Sequence, residues 1–139
     1  RELWLILAQV VQEGVTVLVS TPYMDEAERC HQVGILYQGN LLTAGAPADL
    51  ENNLPFEVVE VKAKPRKVMR QVVSASPLIS KWRPIGDRLR LCVTDPQKTI
   101  KSLQSELQKN NAEIKVLRHA KRSMEDVFIS LVEERRGEA

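Results

Sequence analysis

A chain of 139 residues with 43% hydrophobic and 27% charged side chains and a net charge of +2 suits one ordinary domain or two small ones, and is too nearly neutral for a global attraction to nucleic acid or an acidic partner. Cys30 and Cys92 stand far apart without a C-x-x-C pair, and only His31 and His119 could join them, which excludes a disulfide framework and a zinc site and predicts two reduced, buried thiols. No apolar run approaches the roughly 18 residues of a spanning helix, and no charged start leads into an apolar core as in a signal peptide.

Leu3, Trp4, Ile6, Leu7, Val10 and Val11 repeat at helical spacing and predict a first helix over about residues 1–12, with Gly14 suited to the left-handed position past its end. The helical pattern starts at the first residue without a capping signal, so a fragment with sequence upstream is expected. Val15-Thr16-Val17-Leu18-Val19 is β-branched and does not alternate, as in a strand covered on both faces inside a mainly parallel sheet. Pro22 lacks a backbone N–H and fixes its own φ, so it stops that strand, while Asp25 and Glu26 put negative charge on the first turn of a helix over about 23–31. Ligands sit at the carboxyl ends of strands in open α/β sheets, so the turn at Ser20 to Glu28 is a candidate site edge as well as an ordinary connection. Val33 to Tyr37 and Leu41 to Ala44, separated by Gln38-Gly39-Asn40, predict a hairpin, and Pro47 begins a short helix through Leu50.

Asn52-Asn53-Leu54-Pro55 is the best boundary, dividing the chain into residues 1–53 and 54–139. Beyond it, Phe56 to Ala63 reads as a strand whose adjacent Val58 and Val59 imply a bulge or burial on both faces. Pro65 starts a helix carrying Val68, Met69, Val72 and Val73 inward, and Leu78 to Ile85 is a weaker strand. Gly86-Asp87 turns into Arg88 to Val93, which alternates as in a sheet with one open face. Asp95-Pro96 caps a helix with Ile100, Leu103 and Leu107 inward, Glu113 to Leu117 is a further strand, and Ser123-Met124-Glu125-Asp126 matches a capping box ahead of a final amphipathic helix. From residue 56 the order β-α-β-β-α-β matches the split-βαβ, ferredoxin-like arrangement.

Residues 1–50 resemble the closing part of the nucleotide-binding domain of ABC transporters. Ser20-Thr21-Pro22-Tyr23-Met24-Asp25-Glu26-Ala27-Glu28 is similar to that family's H-loop string S-T-H-x-M-[DE]-E-A-E, and Val33 to Gly45 looks like the hairpin that closes the domain. Met24 with Glu26-Ala27-Glu28 resembles the branch of drug, antibiotic and lipid exporters of the type-2 class, and Ser123-Met124-Glu125-Asp126-Val127-Phe128 is similar to the S-L-E-D-V-F near the end of their accessory domain. The resemblance implies the α/β end of a P-loop NTPase-type nucleotide-binding domain in residues 1–53 and a ferredoxin-like α+β accessory domain in residues 54–139. It also implies an intact protein that couples ATP binding and hydrolysis, with Mg, to transmembrane transport. Its partners would be a transmembrane permease subunit and a second nucleotide-binding domain, in tandem or as a heterodimer, on the cytoplasmic face of the cell membrane.

By the same resemblance, the Gly-rich phosphate loop, the signature motif and the magnesium-holding and catalytic carboxylates would lie upstream of Arg1, and no G-x-x-x-x-G-K-[ST] occurs in the chain. The chain alone is therefore expected neither to bind ATP appreciably nor to hydrolyse it, and to hold no catalytic or metal residue. Of the family's site it supplies only the H-loop neighbourhood Ser20, Thr21 and Pro22. The family's γ-phosphate-binding histidine matches Pro22, whose side chain has no donor or acceptor, which implies a degenerate site with slow turnover.

Two basic clusters remain: Lys62, Lys64, Arg66, Lys67 and Arg70, and Lys115, Arg118, His119, Lys121 and Arg122. Solvated faces of strands and helices account for them more simply than anionic lipid headgroups. Nucleic acid is not an expected partner, because the predicted central strands offer only Phe56 for base stacking. The alternative from another class is an autonomous α/β module binding a small effector or protein partner through its second half. A truncated first half would also expose apolar surface, so self-association is expected.

Overall fold

The computed structural model describes residues 2–138. Its first half holds α1 (Glu2–Gln12), α2 (Met24–Ala27), the hairpin β1 (Val33–Tyr37) and β2 (Asn40–Gly45), and α3 (Pro47–Asn52). The second half holds β3 (Glu57–Lys64), α4 (Arg66–Ala75), β4 (Ile79–Ile85), β5 (Arg88–Val93), α5 (Pro96–Lys109), β6 (Glu113–Ala120) and α6 (Met124–Glu138). β1 and β2 form a two-stranded sheet, and the other strands form a four-stranded sheet in the order β4-β5-β3-β6, antiparallel at every pairing.

The period-two pattern of β5 sends Leu89, Leu91 and Val93 to one face, where Val59, Val61 and Ala63 of β3 join them. Met69 and Val73 of α4 and Leu103 and Leu107 of α5 close over that face. Each such side chain contributes about 1.5–3 kcal/mol on full burial, so this layer, rather than any ion pair, is the main source of stability for the second half. α5 starts as its sequence dictates: the Asp95 side chain accepts the Lys98 N–H at 3.1 Å, and Pro96 occupies the first turn. Of the two options raised by Val58 and Val59, burial on both faces is the one observed, and the irregularity in β3 falls instead at Lys62 and Ala63 against β6.

The expected strand at Val15 to Val19 does not form, and among the described residues there is no parallel sheet. The segment runs without a strand partner, with Leu18 97% exposed. A both-face-covered strand depends on neighbouring strands for its hydrogen bonds, and the described residues supply none alongside it. α1 keeps its helical form but buries none of its residues, and its apolar Leu3, Leu5 and Ile6 face outward. The helix expected over 23–31 is only the turn Met24–Ala27, after which Arg29 and Cys30 tighten to bonds three residues back. The hairpin loop is also tighter than expected: Gln38 and Gly39 both have positive φ, 49° and 79°, as a two-residue primed turn requires.

The face of β5 expected to be open is closed at Arg90 by α6, which leaves that arginine 8% exposed. α6 also meets the first half. Met124 and Val127 are buried with Ile35 of β1, and Met24, Leu42, Leu50 and Leu54 pack around them. Tyr37 sets its ring edge to face against Phe128, with centroids 6.4 Å apart. Both cysteines are free and half-buried, and burial pushes the Cys92 thiol up. No helix among the described residues is long and apolar enough to cross a membrane.

Candidate functional site

Ser20 and Pro22 lie exposed in the bend before α2, and Thr21 is half-buried between them. The Thr21 hydroxyl donates to Glu26 Oε2 and its oxygen accepts the Tyr23 N–H at 3.1 Å. This local closure gives α2 a start although its N-cap residue, Tyr23, makes no side-chain capping bond. Arg29 lies over the Trp4 ring at 5.6 Å and ties the turn to α1.

The Thr21 proton is committed to a carboxylate and Pro22 has no donor, while Asp25 and Glu26 present negative charge from the first turn of a helix too short to offset it. The residues singled out from sequence thus lie together in one short turn.

The structure instead joins the turn to the far end of the chain. Glu28 Oε1 accepts the backbone N–H of Met124, the first residue of α6, at 3.1 Å across 96 positions of sequence. Ser123 and Asp126 complete the cap: the Ser123 N–H donates to Asp126 Oδ2 at 2.8 Å and the Asp126 N–H to Ser123 Oγ at 3.3 Å. The two strings that resemble the H-loop and the S-L-E-D-V-F of ABC exporters therefore touch, and Met24 and Met124 share one apolar cluster.

Asp126 also faces the four-stranded sheet. Arg90 grips it in bidentate fashion, Nε to Oδ1 at 3.0 Å and Nη2 to Oδ2 at 2.6 Å, and Arg83 Nη2 reaches Oδ1 at 2.7 Å. Burial alone would raise this carboxyl, but the bonds from Arg90, Arg83 and the Ser123 N–H outweigh it and hold it at about 2. Arg90 Nη1 continues to Glu60 Oε1 at 2.8 Å, and Glu60 Oε2 takes Arg118 at 2.9 Å and Arg88 at 3.3 Å. By register, Arg83 stands opposite Arg90, Arg90 opposite Glu60 and Glu60 opposite Arg118, one residue from each strand in a row across the sheet.

Several of the basic residues have internal roles. Lys62 pairs with Asp87 at 2.5 Å, Arg70 lies over Trp82 at 5.8 Å, Arg66 donates to the Gly86 carbonyl, Lys115 pairs with Glu113, and Arg122 donates to the Leu54 and Phe56 carbonyls. Sequence reasoning missed Glu28, Glu60, Arg83 and Arg90 as members of one assembly. The capping-box pattern at Ser123 and Asp126 was its only visible sign.

Curated proteins similar to this chain are ATP-binding proteins of ABC transporters. The probable multidrug ABC transporter ATP-binding protein YbhF of Escherichia coli (strain K12) is 49% identical over 51 residues, 37% of this chain and 9% of that protein. The Nod factor export ATP-binding protein I of Paraburkholderia xenovorans (strain LB400) is 29% identical over 131 residues, 93% of this chain and 40% of its own length. The daunorubicin/doxorubicin resistance ATP-binding protein DrrA of Streptomyces peucetius is 24% identical over 136 residues, 94% of this chain and 41% of its own. The chain thus spans less than half the length of these relatives. No protein-family model matches it.

Proposed function

We propose that this relative of ABC exporter ATP-binding proteins is the carboxyl-terminal part of such a subunit, in which residues 1–53 complete the nucleotide-binding domain and residues 54–139 form a ferredoxin-like accessory domain. The observation that carries this reading is similarity that runs through both halves, over 93% of the chain, to a Nod factor export ATP-binding protein. The β-α-β-β-α-β order and the placement of α4 and α5 on one sheet face support the ferredoxin-like part. In the intact protein, ATP with Mg is the cofactor, and export is driven with a transmembrane permease and a second nucleotide-binding domain. The subunit is held at the cytoplasmic face of the membrane through that permease. The chain alone neither binds nor hydrolyses ATP, because it carries no G-x-x-x-x-G-K-[ST] loop to hold the β- and γ-phosphates.

Pro22 sets the rate of the site to which this turn contributes. Phosphoryl transfer relies on positioned donors, and the loss of one typically costs on the order of 100-fold in rate. Pro22→His in the intact protein is expected to raise single-site turnover by about that factor, and unchanged turnover overturns the slow-site reading. Calorimetry of the 139-residue chain with Mg-ATP is expected to show no micromolar binding.

A further inference from the structure

We propose that Glu28 is a positioning residue through which the four-stranded sheet sets the placement of the turn at residues 20–22. The proposal rests on the reading of that turn as part of an ATP site and deepens it by naming what controls it.

α2 is four residues long and has no side-chain cap at Tyr23, so it cannot hold its own position: a single turn fixes several residues for one or two backbone bonds. Its placement comes from what it touches. Met24 enters the apolar cluster around Met124 and Val127, and Glu28 takes the Met124 N–H. A carboxylate at the carboxyl end of its own helix is unfavourably placed against the helix dipole. The same carboxylate is favourably placed at the amino end of α6, whose first N–H groups have no partner within the helix. Glu28 is thus suited to α6 rather than to α2.

From that joint a continuous run of polar contacts leads into the sheet. Met124 adjoins Ser123, whose N–H donates to Asp126, and Asp126 is held by Arg83 and Arg90. Arg90 is held in turn by Glu60, and Glu60 by Arg118 on the far strand. In the other direction the Glu28 N–H bonds the Met24 carbonyl and the Ala27 N–H the Tyr23 carbonyl, and the Tyr23 N–H meets Thr21 beside Pro22. Arg90 and Asp126 at the centre of this run are buried and paired, while Ser20, Pro22 and Tyr23 of the turn are exposed. A shift of α6 on the sheet therefore moves the turn, with Glu28 as the polar tie between them. In the proposed subunit this makes the accessory half a regulator of the H-loop position.

Hydrogen exchange on the 139-residue chain tests this without nucleotide. Arg83→Gln, which loosens Asp126 while leaving Arg90 in place, is expected to speed exchange of the amides from Tyr23 to Glu28 at least threefold. Glu28→Ala is expected to do the same, and the two together to go no further than Glu28→Ala alone. Glu28→Gln keeps an acceptor oxygen and should leave exchange at Met124 within twofold of the unaltered chain. Protection at Val59, Val61 and Leu91 reports that the sheet persists, and Arg83→Lys replaces Arg83→Gln if that protection is lost. Exchange at 23–28 that Arg83 substitution does not change, or changes equally with and without Glu28, overturns the proposal. Because no ATP enters the measurement, its failure is distinct from failure of the Pro22→His prediction.

Discussion

Asp126 and Glu51 are both buried acids near the first turn of α6, and their surroundings push them in opposite directions. Asp126 is held at about 2 against an ordinary 3.8, so its ionised form stabilises the fold. A depression of that size corresponds to about 2 kcal/mol, fully present above the ordinary value and lost as pH falls toward about 2. Asp126→Asn should therefore cost at least about 2 kcal/mol in denaturant unfolding at neutral pH, and much less near pH 2. Glu51, 5% exposed in α3, is raised chiefly by burial. Glu28 and Asp126 add to the rise, and Lys121 and Arg122 oppose it. With its folded value above the ordinary one, the stability it contributes is present at low pH and lost as pH rises through the folded value. Thermal melts should find Glu51→Gln more stable than the unaltered chain at pH 7, with the gap closing below about 4.5.

At the scale of elements, α6 fastens both sheets through one turn. Met124 is fully buried against Ile35 and Val127, so Met124→Ala should cost about 2–5 kcal/mol by leaving a cavity, measured by denaturant unfolding. The elements of the second half were legible because their patterns are local: Leu89, Leu91 and Val93 alternate, and Leu103 and Leu107 repeat at helical spacing. Val15 to Val19 misled because β-branched composition describes a strand only when partners exist to bond it. The turn at Ser20 to Glu28 was legible as a string, yet the role of Glu28 was not, since its partner lies 96 positions away and no periodicity links the two. Arg90 was hidden for a similar reason: alternation gave its face correctly, but only α6 determines whether that face is wet.

At the scale of the whole molecule, the two halves differ in how they treat apolar surface. Among the described residues, nine of the ten exposed large hydrophobics lie between Leu3 and Leu41, and only Ile85 belongs to the four-stranded part. Patches of that kind are what partners cover. The second half manages its own edges: β4 carries Lys81, Arg83 and Pro84, and β6 carries Lys115 and Arg118, all of which discourage edge-to-edge pairing. The row Arg83, Arg90, Glu60 and Arg118 acts on assembly as well as on stability. Slipping β5 by one residue would drive Arg88 and Arg90 into the layer of Met69 and Leu103, and slipping it by two would take Arg90 away from both carboxylates at once. A misaligned β5 thus loses Glu60 within the sheet and leaves Asp126 of α6 without its arginine, so the charges proofread the surface on which the turn comes to rest.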